Sequence, residues 1–194
     1  MRSPAEKVMK SLLILGAGGF GHMIQETAKL LGYEKAVFLD DAVRDPDVVG
    51  KCCDYESFLG QYDTAVAALG DNNMRLHWTE KLMEAGYDVP AIIHPSAVVS
   101  PSASVGKGSF IMQKAIVNTH TVVEHGVLIN SGAVVDHDSY VERGAHIGLG
   151  SVVKANCRIA SKVKVEAGEV IFSTRRKIDG VEDRNLEDAI YAFG

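Results

Sequence analysis

Asp136-His137-Asp138 is the segment with the clearest capacity for chemistry. A neutral imidazole near pH 7 is a general base of suitable strength. A carboxylate beside it holds the tautomer and stabilises the cation formed when the ring takes a proton. Such a pair suits any reaction in which an attacking amine or hydroxyl must shed a proton. Either flanking aspartate, Asp136 or Asp138, can be that partner; a merely solvated corner histidine is the plainer alternative. A second group is Gly16-Ala17-Gly18-Gly19-Phe20-Gly21, a GxGxxG run between a strand and a helix. Glycines there let the backbone approach a ligand, and a helix N-terminus favours phosphate. Asp40 or Asp41, about 20 positions on, can bond a ribose or a base edge. A tight turn chosen for packing is the competing reading. Gly70-Asp71-Asn72 ends another strand, and Arg75 in the next helical turn either reaches a phosphate or is a solvated charge.

Two kinds of element must position these residues. Residues 10–92 alternate strand and helix signals, which predicts a parallel sheet with crossover helices. Ser11–Leu15, Ala36–Leu39 and Thr64–Leu69 read as buried strands. One helix follows the glycines to about Leu31, with Ile24, Ala28 and Leu31 on one face. Another spans Asn73–Ala85, with Met74, Trp78, Leu82 and Ala85 on one stripe and Gly86 stopping it. From Ile93 to Ile171 a β-branched residue recurs every six positions without a break, and a small residue follows most of them four places on. No helix has that period; a triangular β-coil of three hexads does. Thirteen hexads give slightly more than four coils, roughly 20 Å tall at about 4.8 Å each. The expected organisation is a Rossmann-like α/β domain over 9–92, a β-helix over 93–173 and a cap over 174–194, where Leu186, Ile190 and Phe193 suggest a helix.

The bulk properties exclude several classes. The 194 residues carry a net charge of −5 and no long basic run, against nucleic acid as a partner. No apolar stretch is long enough to span a membrane, and the polar N-terminus does not read as a signal peptide. Three cysteines, two of them adjacent, suit a reduced cytoplasm. Cys157 falls at a small-residue position of the repeat and reads as a packed thiol.

In this order, LILGAGGFG (13–21), FLDD (38–41), ALGDNNMR (68–75), IIHPSAVVSPSASVG (92–106) and NSGAVVDHDSYV (130–141), together with the hexad repeat, resemble the bacterial nucleotide-sugar acetyltransferases. That group includes the sialic-acid O-acetyltransferase type and the N-acetyltransferases of the bacillosamine and perosamine pathways. The resemblance runs from about Met9 to Ile171. It implies a left-handed β-helix, a homotrimer with active sites between prisms, and acetyl-CoA as co-substrate without a tightly bound cofactor. It implies His137 as base with Asp138, a nucleotide-sugar (UDP in the first instance) on the glycine loop, and Asn130 as a polar contact. It also implies His146 beside the acetyl group and a backbone N–H near Ala155 on the thioester carbonyl.

Departures from the family are visible too. Some relatives have a histidine where Phe20 stands, and His22 is two positions away. The Gly-x-Pro-Ala-Lys segment of the last coil is missing; Arg175, Arg176 and Lys177 are offered for the coenzyme phosphates instead. His120 and His125 have part of the zinc spacing of trimeric β-helix carbonic anhydrases, but His94 is too close to be the third ligand, so no metal is expected. The rival readings are a dinucleotide oxidoreductase, for which the N-terminal half is small, a non-catalytic sugar-nucleotide scaffold, and an O-acetyltransferase on a sialic-acid-type sugar.

Overall fold

The computed structural model describes residues 10–172. Arg175, Arg176, Lys177 and the helix expected over Leu186–Phe193 lie outside the described residues. The first half is a four-stranded parallel sheet of β1 (Ser11–Leu15), β2 (Lys35–Leu39), β3 (Val48–Gly50) and β4 (Ala65–Ala67), in the order β3-β2-β1-β4. Leu12 to Leu15 are all fully buried, as a parallel strand covered on both faces requires. Alternate side chains feed two cores. Leu12, Ile14, Phe38 and Val66 pack with helix α1 (Gly19–Leu30), while Leu13, Leu15, Val37 and Leu39 pack with Leu82 of helix α2 (Asn72–Glu84).

The short β3 and the 3₁₀ turn Cys52–Phe58 escaped the sequence reading, because neither is long enough to show a period. The α2 stripe also differs from expectation. Its buried residues are Arg75, Leu76, Thr79 and Leu82, and Met74 is 48% exposed. The helix wedges between its own sheet and the second half, which rotates the buried stripe.

The second half is a left-handed β-helix with three faces. The docked face stacks Ile92–Ile93, Phe110–Ile111, Leu128–Ile129, His146–Ile147 and Lys164–Val165. The aliphatic face stacks Val98–Val99, Ile116–Val117, Val134–Val135, Val152–Val153 and Val170–Ile171. The third face stacks Ser104–Val105, Val122–Val123, Tyr140–Val141 and Arg158–Ile159. Each residue pairs in parallel with the one 18 positions on, for example Val134 with Val152. The second residue of each strand points inward to one core.

Corners are tight, and from 108 to 168 every sixth residue has a positive φ. Six of those eleven are glycine; His120 (φ 57) and Asp138 (φ 56) are among the exceptions. Aspartate tolerates this region better than most side chains.

The docked face carries the nucleotide half. Ile92, Phe110, Met112 and Leu128 share a core with Leu12, Ile14 and Ala28, and the Phe20 ring meets Phe110 edge to face at 5.1 Å. Helix α2 runs along the adjacent corner. A Cβ on Gly108 would come within 2.5 Å of Thr79 Cγ2, and one on Gly144 within 3.1 Å of Leu76. Glycine at these corners therefore permits both the turn and the close approach of the helix.

Candidate active site

His137 sits on the corner between the aliphatic and third faces, where the chain turns from Val135 to Tyr140. Its Nδ1 lies 2.7 Å from Asp138 Oδ2, and its side chain is 51% exposed. The left-handed corner backbone at Asp138 places that carboxylate beside the ring of the preceding residue. One coil below, His120 Nδ1 approaches the other oxygen, Asp138 Oδ1, at 3.3 Å. The hydrogen bond to Asp138 raises the His137 pKa above the usual 6.5, despite the small opposing effect of desolvation. His137 in turn holds the Asp138 carboxyl below its ordinary range.

Asp136, the other flanking aspartate, does not touch the ring. Its Oδ1 accepts from the His137 backbone N–H at 2.9 Å and from Asn118 Nδ2 at 3.0 Å, which lower its pKa. Asn118 escaped the sequence reading, although its 18-residue offset from Asp136 was a usable signal. His137 Nε2 has no hydrogen-bond partner among the described residues. Ala155 lies one coil above, its neighbour Asn156 donating to the His137 carbonyl at 3.0 Å. The Ala155 N–H likewise has no acceptor among the described residues. A free ring nitrogen backed by a carboxylate can take a proton, and a free backbone donor one coil away can stabilise an oxyanion.

The glycine loop leaves β1 at the carboxyl edge of the sheet. Gly16 has φ 101, and a Cβ there would meet Ala68 O at 2.8 Å; a Cβ on Gly21 would meet Gly16 O at 2.0 Å. Gly18 and Gly19 have nothing within 4 Å of that position, so the loop is open on its outer side. Gly18 is the N-cap of α1, with no side-chain cap and no acid in the first turn. The free N–H groups make a site for an anion. Gly21→Ala should cost about 1–3 kcal/mol by overpacking, read as a lower Tm. Gly18→Asp should keep or raise Tm, since Gly18 has ordinary extended backbone and Asp is a good cap. The same change should weaken binding of a nucleoside diphosphate, because a carboxylate then occupies the anion position.

Asp40 braces this loop. Burial pulls its pKa up, but N–H donors from Ala17 (2.8 Å), Val43 (2.8 Å) and Ala42 (2.9 Å) outweigh that and hold it below the ordinary carboxylate range. Asp41 accepts from the Cys52 N–H at 3.2 Å. Both acids shape the loop ends on which they were expected to touch a ribose.

Three comparisons bear on this geometry. The family model described as PglD N-terminal domain matches residues 11–82. A UDP-N-acetylbacillosamine N-acetyltransferase of Bacillus subtilis (strain 168) is 32% identical over 117 residues, 54% of this chain and 52% of the relative. The chain thus spans about half the length of the curated relative it matches. The acetyltransferase domain of PglB from Neisseria gonorrhoeae FA1090, solved in complex with acetyl coenzyme A, is 32% identical with a TM-score of 0.74. The alignment covers 84% of this chain and 92% of that one. The chain belongs to the bacillosamine-pathway acetyltransferase family. PerB from Caulobacter crescentus, solved in complex with CoA and GDP-perosamine, is 28% identical with a TM-score of 0.75 over 84% of this chain and 88% of that one.

Several expected contacts turn out to be structural in this chain. Arg75 is neither a solvated charge nor free for a phosphate: it is fully buried, and its donors are taken by protein oxygens. Asn72 donates to Lys162 O at 2.8 Å and accepts from Arg75 at 2.8 Å. Asp71 caps α2 through the Met74 N–H, and the Gly70 carbonyl accepts from Arg75. Packing of α2 against the β-helix uses Arg75 and Asn72, so those two side chains are withdrawn from the ligand.

Asn130 and His146 are brought together, Asn130 Nδ2 lying 3.2 Å from His146 Nε2. That donor leaves His146 Nδ1 as the N–H of a neutral ring, buried and unpartnered among the described residues. Burial, then the nearby Arg75 cation, bring the His146 pKa down to about 4. His146 projects from the docked face, away from the His137 corner. His120 and His125 also part company, the second pairing with Glu80 at 3.3 Å on another corner. Cys157 is buried with a raised pKa, as a packed thiol should be.

Proposed function

We propose that this chain forms a homotrimer that moves the acetyl group of acetyl-CoA to the amino group of a nucleotide-linked, first of all UDP-linked, amino sugar. The observation that carries the reading is the His137–Asp138 pair, with Nε2 left free and the Ala155 N–H one coil away. The nucleotide rests on the Gly16–Gly21 loop with its phosphates toward the start of α1. The sugar nitrogen attacks the thioester carbonyl carbon, and His137 Nε2 takes the proton that nitrogen loses. The carbonyl oxygen carries the developing negative charge toward the Ala155 N–H. The carbon–sulfur bond then breaks, the imidazolium returns the proton to the coenzyme thiolate, and no acyl-enzyme forms.

Support for the donor comes from the PglB domain with its acetyl coenzyme A, and support for the acceptor class from PerB with its GDP-perosamine and from the Bacillus relative's name. Support for the trimer comes from the aliphatic face. Its outward residues Val98, Ile116, Val134, Val152 and Val170 form one stripe, with Val98 60% exposed. A stripe of that kind beside the His137 corner suits a second prism. The chain's own loop packs over a different face, so a loop from a neighbour is the natural donor of substrate to His137. Among the described residues no helix is long and apolar enough to cross a membrane, and three free cysteines fit the cytoplasm.

The test is thiol release from acetyl-CoA with a panel of UDP-, GDP- and CMP-linked amino sugars. Release matched one to one by N-acetylated sugar is the expected result; no release with any member defeats the reading. Asp138→Asn supplies a second test. The raised His137 pKa means the base works only as pH climbs past a value above 6.5. Removing the carboxylate charge should move that rising limb of kcat/KM to lower pH, with a lower plateau. An unmoved limb would assign the titration to another group.

A further inference from the structure

We propose that Arg75 is a positioning residue that locks the nucleotide-binding loop in register with the His146 side of the β-helix. This rests on the acetyl-transfer reading above. The guanidinium contacts three separate pieces of chain. Nη1 donates to Leu69 O at 3.1 Å and Gly70 O at 3.3 Å, at the end of β4. Nε donates to Gly126 O at 2.9 Å, in one coil. Nη2 donates to Gly144 O at 2.9 Å and Ala145 O at 3.2 Å, in the next coil, and to Asn72 Oδ1 at 2.8 Å.

Every acceptor is neutral. Arg75 is 0% exposed, and no carboxylate meets it among its hydrogen-bond partners. A buried cation solvated only by oriented carbonyls is costly unless each donor is met, which fixes the acceptors relative to one another. Burial brings its pKa down to about 10, so it remains a cation at neutral pH.

The contacts on either side run on to the glycine loop and to the Asn130–His146 pair. Leu69 and Ala68 press on Gly16, where an added Cβ would lie 2.8 Å from each. Ala145 precedes His146, which meets Asn130. One unbroken path therefore joins the glycine loop to the Asn130–His146 pair through a single side chain. A lysine has the charge but not the rigid five-donor fork that spans these pieces.

Arg75→Gln and Arg75→Lys test this. The two ligand sites should persist while their alignment fails: Kd for UDP alone and for CoA alone within about twofold of wild type, and kcat for acetyl transfer at least ~10-fold lower in both variants. Ring NMR of His146 should show its pKa rising above about 4 in Arg75→Gln while burial, the larger cause, still holds it below the ordinary range, a readout that needs no turnover. Wild-type kcat in either folded variant overturns the proposal. So does a loss of both affinities in step with kcat, which marks Arg75 as general scaffolding. If Arg75→Gln fails to fold, Arg75→Lys is judged by the same criteria. A wild-type enzyme inactive on every nucleotide sugar defeats the functional reading instead, with the His146 titration still deciding the placement of Arg75.

Discussion

Replacing His137 with alanine should lower kcat by a factor of about 10² to 10⁴, the usual contribution of a positioned general base. The side chain is half exposed and its only described partner is Asp138, so Tm should move little. Affinity for UDP should not change, because the glycine loop lies over the opposite, docked face. Steady-state kinetics with titrations of UDP and CoA separate these quantities. Turnover near that of wild type would remove His137 from the chemistry.

A charge on the aliphatic face should have a comparable effect by another route. Val134 points outward from the middle of the stripe, with Ile116 and Val152 as its ladder neighbours. The adjacent Val135 faces the core, so Val134→Glu leaves the coil's interior packing alone. Burying a lone carboxylate between prisms costs several kcal/mol. Light scattering should show a species of about three chain masses giving way to one of 20.9 kDa. Activity should fall by about 10² or more, since a site assembled from two chains loses the positioning of its reactants. A monomer of full activity would show that each chain works alone.

Much of this was legible in the sequence because periodicity reports burial directly. The unbroken frame from Ile93 to Ile171 is the inward row of the β-helix, and the small residues after it fill its corners, as Ala115, Ala133 and Ser151 do with full burial. The GxGxxG turn was legible because Gly16 and Gly21 are constrained by hard contacts. Adjacency left Asp136 and Asp138 equal as partners of His137; the resemblance favoured Asp138, to which the ring is bonded. What could not be read was how polar groups divide between ligand and packing. Arg75 and Asn72 stand at a sheet edge suited to substrate, and nothing local in the sequence reveals that a β-helix corner reaches them first. Contacts with separations of 51 to 90 residues carry that information. The α2 stripe was misplaced for the same reason, since one helix serves two partners.

The claim at the centre of the account is that His137 of one chain acts on substrate held by the glycine loop of another. Co-expressing Gly18→Asp chains with His137→Ala chains tests it most directly, because each variant alone impairs one half of the site: nucleotide binding in the first, the base in the second. In mixed trimers a competent histidine meets a competent loop at a fraction of the junctions, so acetyl transfer should return to about a quarter of wild type. Mixed trimers no more active than their parents would place loop and histidine in the same chain and contradict the account.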